Sequence, residues 1–174
     1  MLAMSINEIV KCANKITQQC GTRDAHRIAE ELDITILPRH FKVQRGAYKV
    51  ILGNRFIFIK DDLSPVMENI VLLHEIGHDT LHRQEAVRVG GFQEFELFDM
   101  KDVRMEYEAN ILAAQIALPD DEVLEYIHQG YDNQKIACAM GTDINLVGLK
   151  VDILISQGYN LRRQEHCNDF LKHN

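Results

Sequence analysis

Apolar positions in the first part of the chain recur with a helical period and then switch to an alternating one. Ser5-Ile-Asn-Glu8 is a capping box, and Ile9, Val10, Ala13 and Ile16 follow at helical spacing, which predicts a helix opening at Ser5 and stopping at Gly21. A second short helix over about 23–32 carries Ala25, Ile28, Ala29 and Leu32 on one side. The period then changes. Residues 34–37 read as a strand, and two β-rich runs, 47–52 and 55–59, are separated by Gly53-Asn54, a two-residue hairpin signal. A small antiparallel sheet is expected over about 34–60.

Ser64-Pro65 supplies an N-cap followed by proline at the first helical position. The helix it opens should run to about His82, with Ile70, Leu73, Gly77 and Leu81 as its apolar stripe. The stretch 83–103 contains Gly90-Gly91, Phe92, Phe95 and Phe98 but no clean period. Long irregular segments often act as lids or binding loops, and the alternative is that these phenylalanines pack a loop onto the core. A helix over about 104–118 follows, ended by Pro119. Asp120-Asp121 can cap the next, about 122–128. Two more helices with Gly141-Thr142 between them precede a polar tail after Gly158.

Composition narrows the function classes. In 174 residues, 46% are hydrophobic and 26% charged, the balance of a soluble globule. The net charge of −7 argues against nucleic acid or an anionic membrane as the main partner. No apolar run is long enough to span a bilayer, and the first residues lack the basic and apolar regions of an export signal, so a cytoplasmic protein is expected. Cys12, Cys20, Cys138 and Cys167 form no CxxC pair. They read as scattered thiols, Cys12 and Cys138 as small buried hydrophobes.

The segment that carries chemistry is His74-Glu75-Ile76-Gly77-His78, inside the helix opened by Ser64-Pro65. Residues i and i+4 lie about 6 Å apart along the axis on one helix face, so two imidazoles can reach one Zn²⁺ at roughly 2.0–2.1 Å. Glu75 lies beside them as a general base that need not ligate the metal. The His and Glu content of the chain gives ~0.03 chance occurrences of this pattern. His74 and His78 border the apolar stripe and should be half-buried. Gly77 costs about 1 kcal/mol of helix propensity against alanine, which suggests the close approach of another backbone or a small packing site.

Catalytic zinc needs a third protein ligand and an open position. His82 lies about 12 Å along a continuous helix from His74, too far to share the metal. It is left behind the ligands, facing substrate or capping the helix. On the helix over 104–118, Ala109, Leu112, Ala113 and Ile116 face the core, with Glu106 on the edge of that face. Asn110 shares the face of Glu106 and can accept the N–H of a ligand histidine. Glu108 projects roughly 160–200° away from Glu106, toward Gln115, so Glu106 is the preferred third ligand.

The block from His74 to His82, followed by Glu106-Tyr-Glu-Ala-Asn110-Ile-Leu-Ala-Ala-Gln-Ile-Ala-Leu-Pro119, resembles the ImmA/IrrE family of metallopeptidases. Members carry similar H-E-[IL]-G-H-x-x-x-H and E-x-x-A-[ND]-x-x-A-x-x-[LM]-P helices. Ile-Ala-Leu-Pro stands where Leu-Leu-Met-Pro is common. The resemblance implies an α+β, zincin-like (gluzincin) core with a small antiparallel sheet, occupying 1–119. A helical C-terminal part over 120–174 would pack on it. It implies His74, His78 and Glu106 as zinc ligands and Glu75 as general base. The short stretch after Pro119 favours the ImmA-like branch, phage and mobile-element anti-repressors that cleave a helix-turn-helix repressor.

Two other readings stay open. One is a zinc-containing protein that binds its repressor without cutting it. The other is a DNA-binding module, since 136–150 has a helix-turn-helix spacing. Its second helix, however, sets Asp143 and Asp152 against Lys150 alone, whereas phosphate binding needs Lys or Arg.

Overall fold

The computed structural model describes residues 4–89 and 103–162. The lid expectation for Phe92, Phe95 and Phe98 and the tail beyond 162, with Cys167, lie outside the described residues.

Helix α1 (Ile6–Cys20) starts where the capping box places it. The Ser5 N–H donates to Glu8 Oε2 at 2.8 Å, and Gly21 closes the helix at φ 63°. Ile9, Val10, Ala13 and Ile16 are its buried positions. Helix α2 (Ala25–Glu31) is capped by the Asp24 side chain. Three strands follow: β1 (Ile34–Arg39), β2 (Gly46–Ile51) and β3 (Asn54–Lys60). β2 and β3 form the expected antiparallel hairpin. The turn residues are Leu52 and Gly53, at φ 49° and 80°, because Ile51 pairs with Asn54; the turn thus sits one residue earlier than the Gly53-Asn54 signal suggested.

β1 pairs with β3 in parallel, so the sheet is mixed, in the order β1-β3-β2. The expected all-antiparallel pairing gives way because the chain after β1 passes beyond the central position. It builds β2 at the far edge and returns with β3 between the two. β3 carries Phe56, Ile57, Phe58 and Ile59 in succession, a run suited to the strand that pairs on both sides.

Helix α3 (Pro65–Val89) lies between this sheet and helix α4 (Val103–Ala117). Residues 70–79 are all buried, so His74 and His78 are fully covered rather than half-buried; sheet and α4 close on the helix from both sides. The helix does not end at His82. It bends there, with φ −126° and ψ 15°, and continues to Val89. Gly77 meets the backbone it was expected to: a Cβ there would lie 3.0 Å from Ala109 Cα and 3.1 Å from Ala109 O, so α3 and α4 cross in near contact.

Helices α5 (Asp120–His128), α6 (Asn133–Met140) and α7 (Ile144–Ser156) complete the described chain, with α7 packed on α4 and α1. Asp120 lies in the first turn of α5 instead of capping it, because its carboxylate is bound by Lys150 Nζ. Lys150 is 0% exposed and also donates to Gln115 Oε1 at 2.6 Å. The one cation of the helix-turn-helix-like segment therefore points into the protein. Burial pulls the Lys150 amine below its ordinary range against the opposing pull of Asp120. Removing one member of a buried ion pair strands the other charge. Asp120→Ala should accordingly destabilise the fold by about 3 kcal/mol in urea unfolding, because it strands the fully buried Lys150 amine. Lys150→Met should cost less, because the carboxylate it strands reaches solvent. Cys138 is exposed, contrary to expectation, and Cys12 is half-buried. Among the described residues no helix is long and apolar enough to cross a membrane.

Candidate metal centre

The crossing of α3 and α4 brings three donor side chains to one point. His74 Nε2 lies 3.0 Å from His78 Nε2 and 3.4 Å from Glu106 Oε2, and His78 Nε2 lies 3.5 Å from Glu106 Oε1. One donor atom from each residue lies within 4.8 Å of the others. A tetrahedral ion with ~2.0–2.1 Å bonds has ligand–ligand edges of about 3.3 Å, so the set fits a zinc ion without rearrangement. The i, i+4 spacing aligns the two histidines. Glu106 reaches them from the first turn of α4, a placement that Gly77 and Ala109 permit by letting the helices touch.

Each histidine is held from behind. His74 Nδ1 is 2.8 Å from Asn110 Oδ1, the arrangement expected of Asn110. His78 Nδ1 is 3.1 Å from His82 Nδ1, and His82 Nε2 is 3.0 Å from Glu108 Oε2. His82 thus stands behind His78, and its ring also lines the cavity that opens onto the donors. Glu108 departs from the expectation that it points away toward Gln115. It is buried and meets His82 because α3 bends there and runs on past the start of α4. No local signal marks Glu108, since its partner is set by a bend 26 residues earlier.

Glu75 is buried beside the histidines and accepts the backbone N–H of Tyr48. Burial raises its carboxyl to about 7, partly offset by His74. Burial lowers the His78 imidazole to about 4, although Glu106 opposes this. For His74 burial also works downward, but Glu106, Glu75 and Asn110 outweigh it and its affinity for a proton rises. Burial would raise Glu106, yet the hydrogen bonds from His74 and His78 hold it far below the usual carboxylate range.

Asp79 is the second cluster that sequence reasoning missed, although it directly follows His78. It is 1% exposed and receives Tyr48 Oη at 2.6 Å, Arg83 Nη2 at 2.7 Å and Arg55 Nη1 at 3.2 Å. Burial and the bond to Asp79 push the Tyr48 phenol far above its ordinary range. The cluster ties β2 and β3 to α3 and so fixes the strand whose N–H meets Glu75.

A cavity of about 340 Å³ opens onto the three donors and Glu75, walled on the other side by Gln44, Gly46 and Tyr48. Gly46 packs directly on the acid: a Cβ there would lie 2.8 Å from Glu75 Oε1 and 2.6 Å from Val71 Cγ1. Gly46→Ala should therefore displace the Glu75 carboxylate. Catalysis should fall about 10-fold or more with metal content near wild type, and the unfolding midpoint should drop, because the buried Val71 methyl must move as well.

Comparison with known proteins agrees with this geometry. The sequence profile described as Peptidase_M78, IrrE N-terminal-like domain, matches residues 29–144, a span that contains all three donors and Glu75. A curated relative, "uncharacterized immunity region protein 2" of Bacillus phage phi105, is 28% identical over 145 residues, covering 82% of this chain and 89% of the relative.

Proposed function

We propose, because this chain belongs to the IrrE N-terminal-like domain family, that it is a zinc-dependent endopeptidase that cuts a helix-turn-helix repressor of a phage or mobile element. The observation that carries the reading is the convergence of His74 Nε2, His78 Nε2 and a Glu106 oxygen with Glu75 buried beside them at the end of an open cavity. The relative's name, an immunity region protein of a phage, supports a role in repressor control, and a cytoplasmic setting suits that substrate.

His74, His78 and Glu106 would hold the ion. Zn²⁺, when bound, supplies Lewis-acid polarisation of the scissile carbonyl and makes water more acidic. The chain's own residues do the rest. The peptide enters the cavity between β2 and α3. A Glu75 carboxylate oxygen takes the proton of the attacking water and returns it to the departing amine nitrogen. Tyr48 N–H and the bare face of Gly46 hold that carboxylate in place, and Asn110 orients His74.

Incubating the purified protein with a candidate helix-turn-helix repressor tests this against the non-catalytic alternative. Repressor fragments that form with zinc and vanish with a chelator are expected. A stable complex with intact repressor under both conditions would contradict peptidase action and leave a binding protein.

A further inference from the structure

We infer that His82 and Glu108 are positioning residues that hold the His78 ring with its Nε2 turned toward the other two donors. This rests on the metal-site reading above and goes beyond it.

The Glu108 carboxylate is surrounded by donors. Met4 N–H reaches Oε1 at 3.2 Å, the Arg104 guanidinium lies 3.7 Å from the same oxygen, and His82 Nε2 lies 3.0 Å from Oε2. A carboxylate so placed can accept from His82 Nε2. The other ring nitrogen of His82, Nδ1, faces His78 Nδ1 at 3.1 Å, so the two rings meet through their Nδ1 atoms. His78 Nε2 is thereby turned toward His74 Nε2 and Glu106. Asn110 Oδ1 can do the same for His74 through its Nδ1.

The two supports differ in reach. Asn110 lies on α4 and touches its histidine directly, whereas Glu108 acts through a second imidazole. Both sit on the helix that carries Glu106, so one helix supplies a ligand and orients the other two. The bend at His82 belongs to the same device, since it falls at the residue whose ring spans from His78 to Glu108. The outcome is three donor groups gathered across 3.0–3.5 Å, two of them held from behind by α4.

Zinc binding by the full chain tests this. Zinc affinity, read by competition with a chromophoric chelator, should fall about 10–100-fold in His82→Phe, which keeps the buried ring volume but offers no acceptor. His82→Gln returns an acceptor oxygen and should recover most of that loss, and the metal-free unfolding midpoint identifies a variant that has lost its fold. A folded His82→Phe chain with wild-type zinc affinity would overturn the positioning role while leaving the metal site intact. A wild-type chain that bound no zinc would instead overturn the metal reading itself.

Discussion

Glu75→Gln should keep its zinc and its fold and lose cleavage by about 10²–10⁴-fold, the range general-base catalysis contributes. Glutamine has the shape of the acid it replaces. Its oxygen can still accept the Tyr48 N–H, and it still lies against Gly46, so neither β2 nor α3 has reason to move. What it cannot do is take a proton. The carboxylate is suited to that task near neutral pH, since burial has raised it to about 7, where a base is neither too weak to accept a proton nor permanently protonated. The measurement pairs the rate of substrate cleavage with zinc content and unfolding midpoint. A fully active Glu75→Gln protein would remove Glu75 from the mechanism. Loss of metal in that variant would place Glu75 among the ligands.

His74→Ala should lose metal and cleavage together. Removing this ring deletes one of three donors, takes from Glu106 one of its two imidazole partners and takes from Asn110 Oδ1 the group it meets at 2.8 Å. Loss of a group that only orients a ligand costs about 10–100-fold in metal affinity, so loss of a ligand should exceed that. The metal-free fold should weaken by about 1–3 kcal/mol, because a buried hydrogen bond and packing are lost at the α3–α4 crossing. Zinc titration followed by competition, beside urea unfolding with and without metal, separates the two effects. Unchanged zinc affinity would exclude His74 as a ligand.

The histidine pair was legible because everything it needs is local. Four residues of helix set the separation of His74 and His78, and Ser64-Pro65 announces the helix. Glu106 and Asn110 were legible at one remove, as neighbours on a face that also shows Ala109 and Ala113. Gly77 spoke for the crossing, since a costly glycine in a helix implies a neighbour, and Ala109 is that neighbour. What was not legible depends on contacts far apart in sequence. The parallel β1–β3 pairing is decided by where the chain goes between β1 and β2. Asp79 gains its meaning from Tyr48 and Arg55 on two strands, and Lys150 from Asp120 and Gln115 on other helices. Glu108 fell outside the expected site because helical geometry alone turns it away from Glu106. The bend at His82 supplies a partner that no periodicity predicts.

The most direct test of the account is the metal content of the untagged, purified protein by elemental analysis, with Glu106→Ala prepared alongside. The account predicts close to one zinc per wild-type chain and a sharp fall in the variant, because Glu106 supplies the donor that His74 and His78 lack. A folded wild-type protein that holds no zinc, even after zinc is added back, would contradict it.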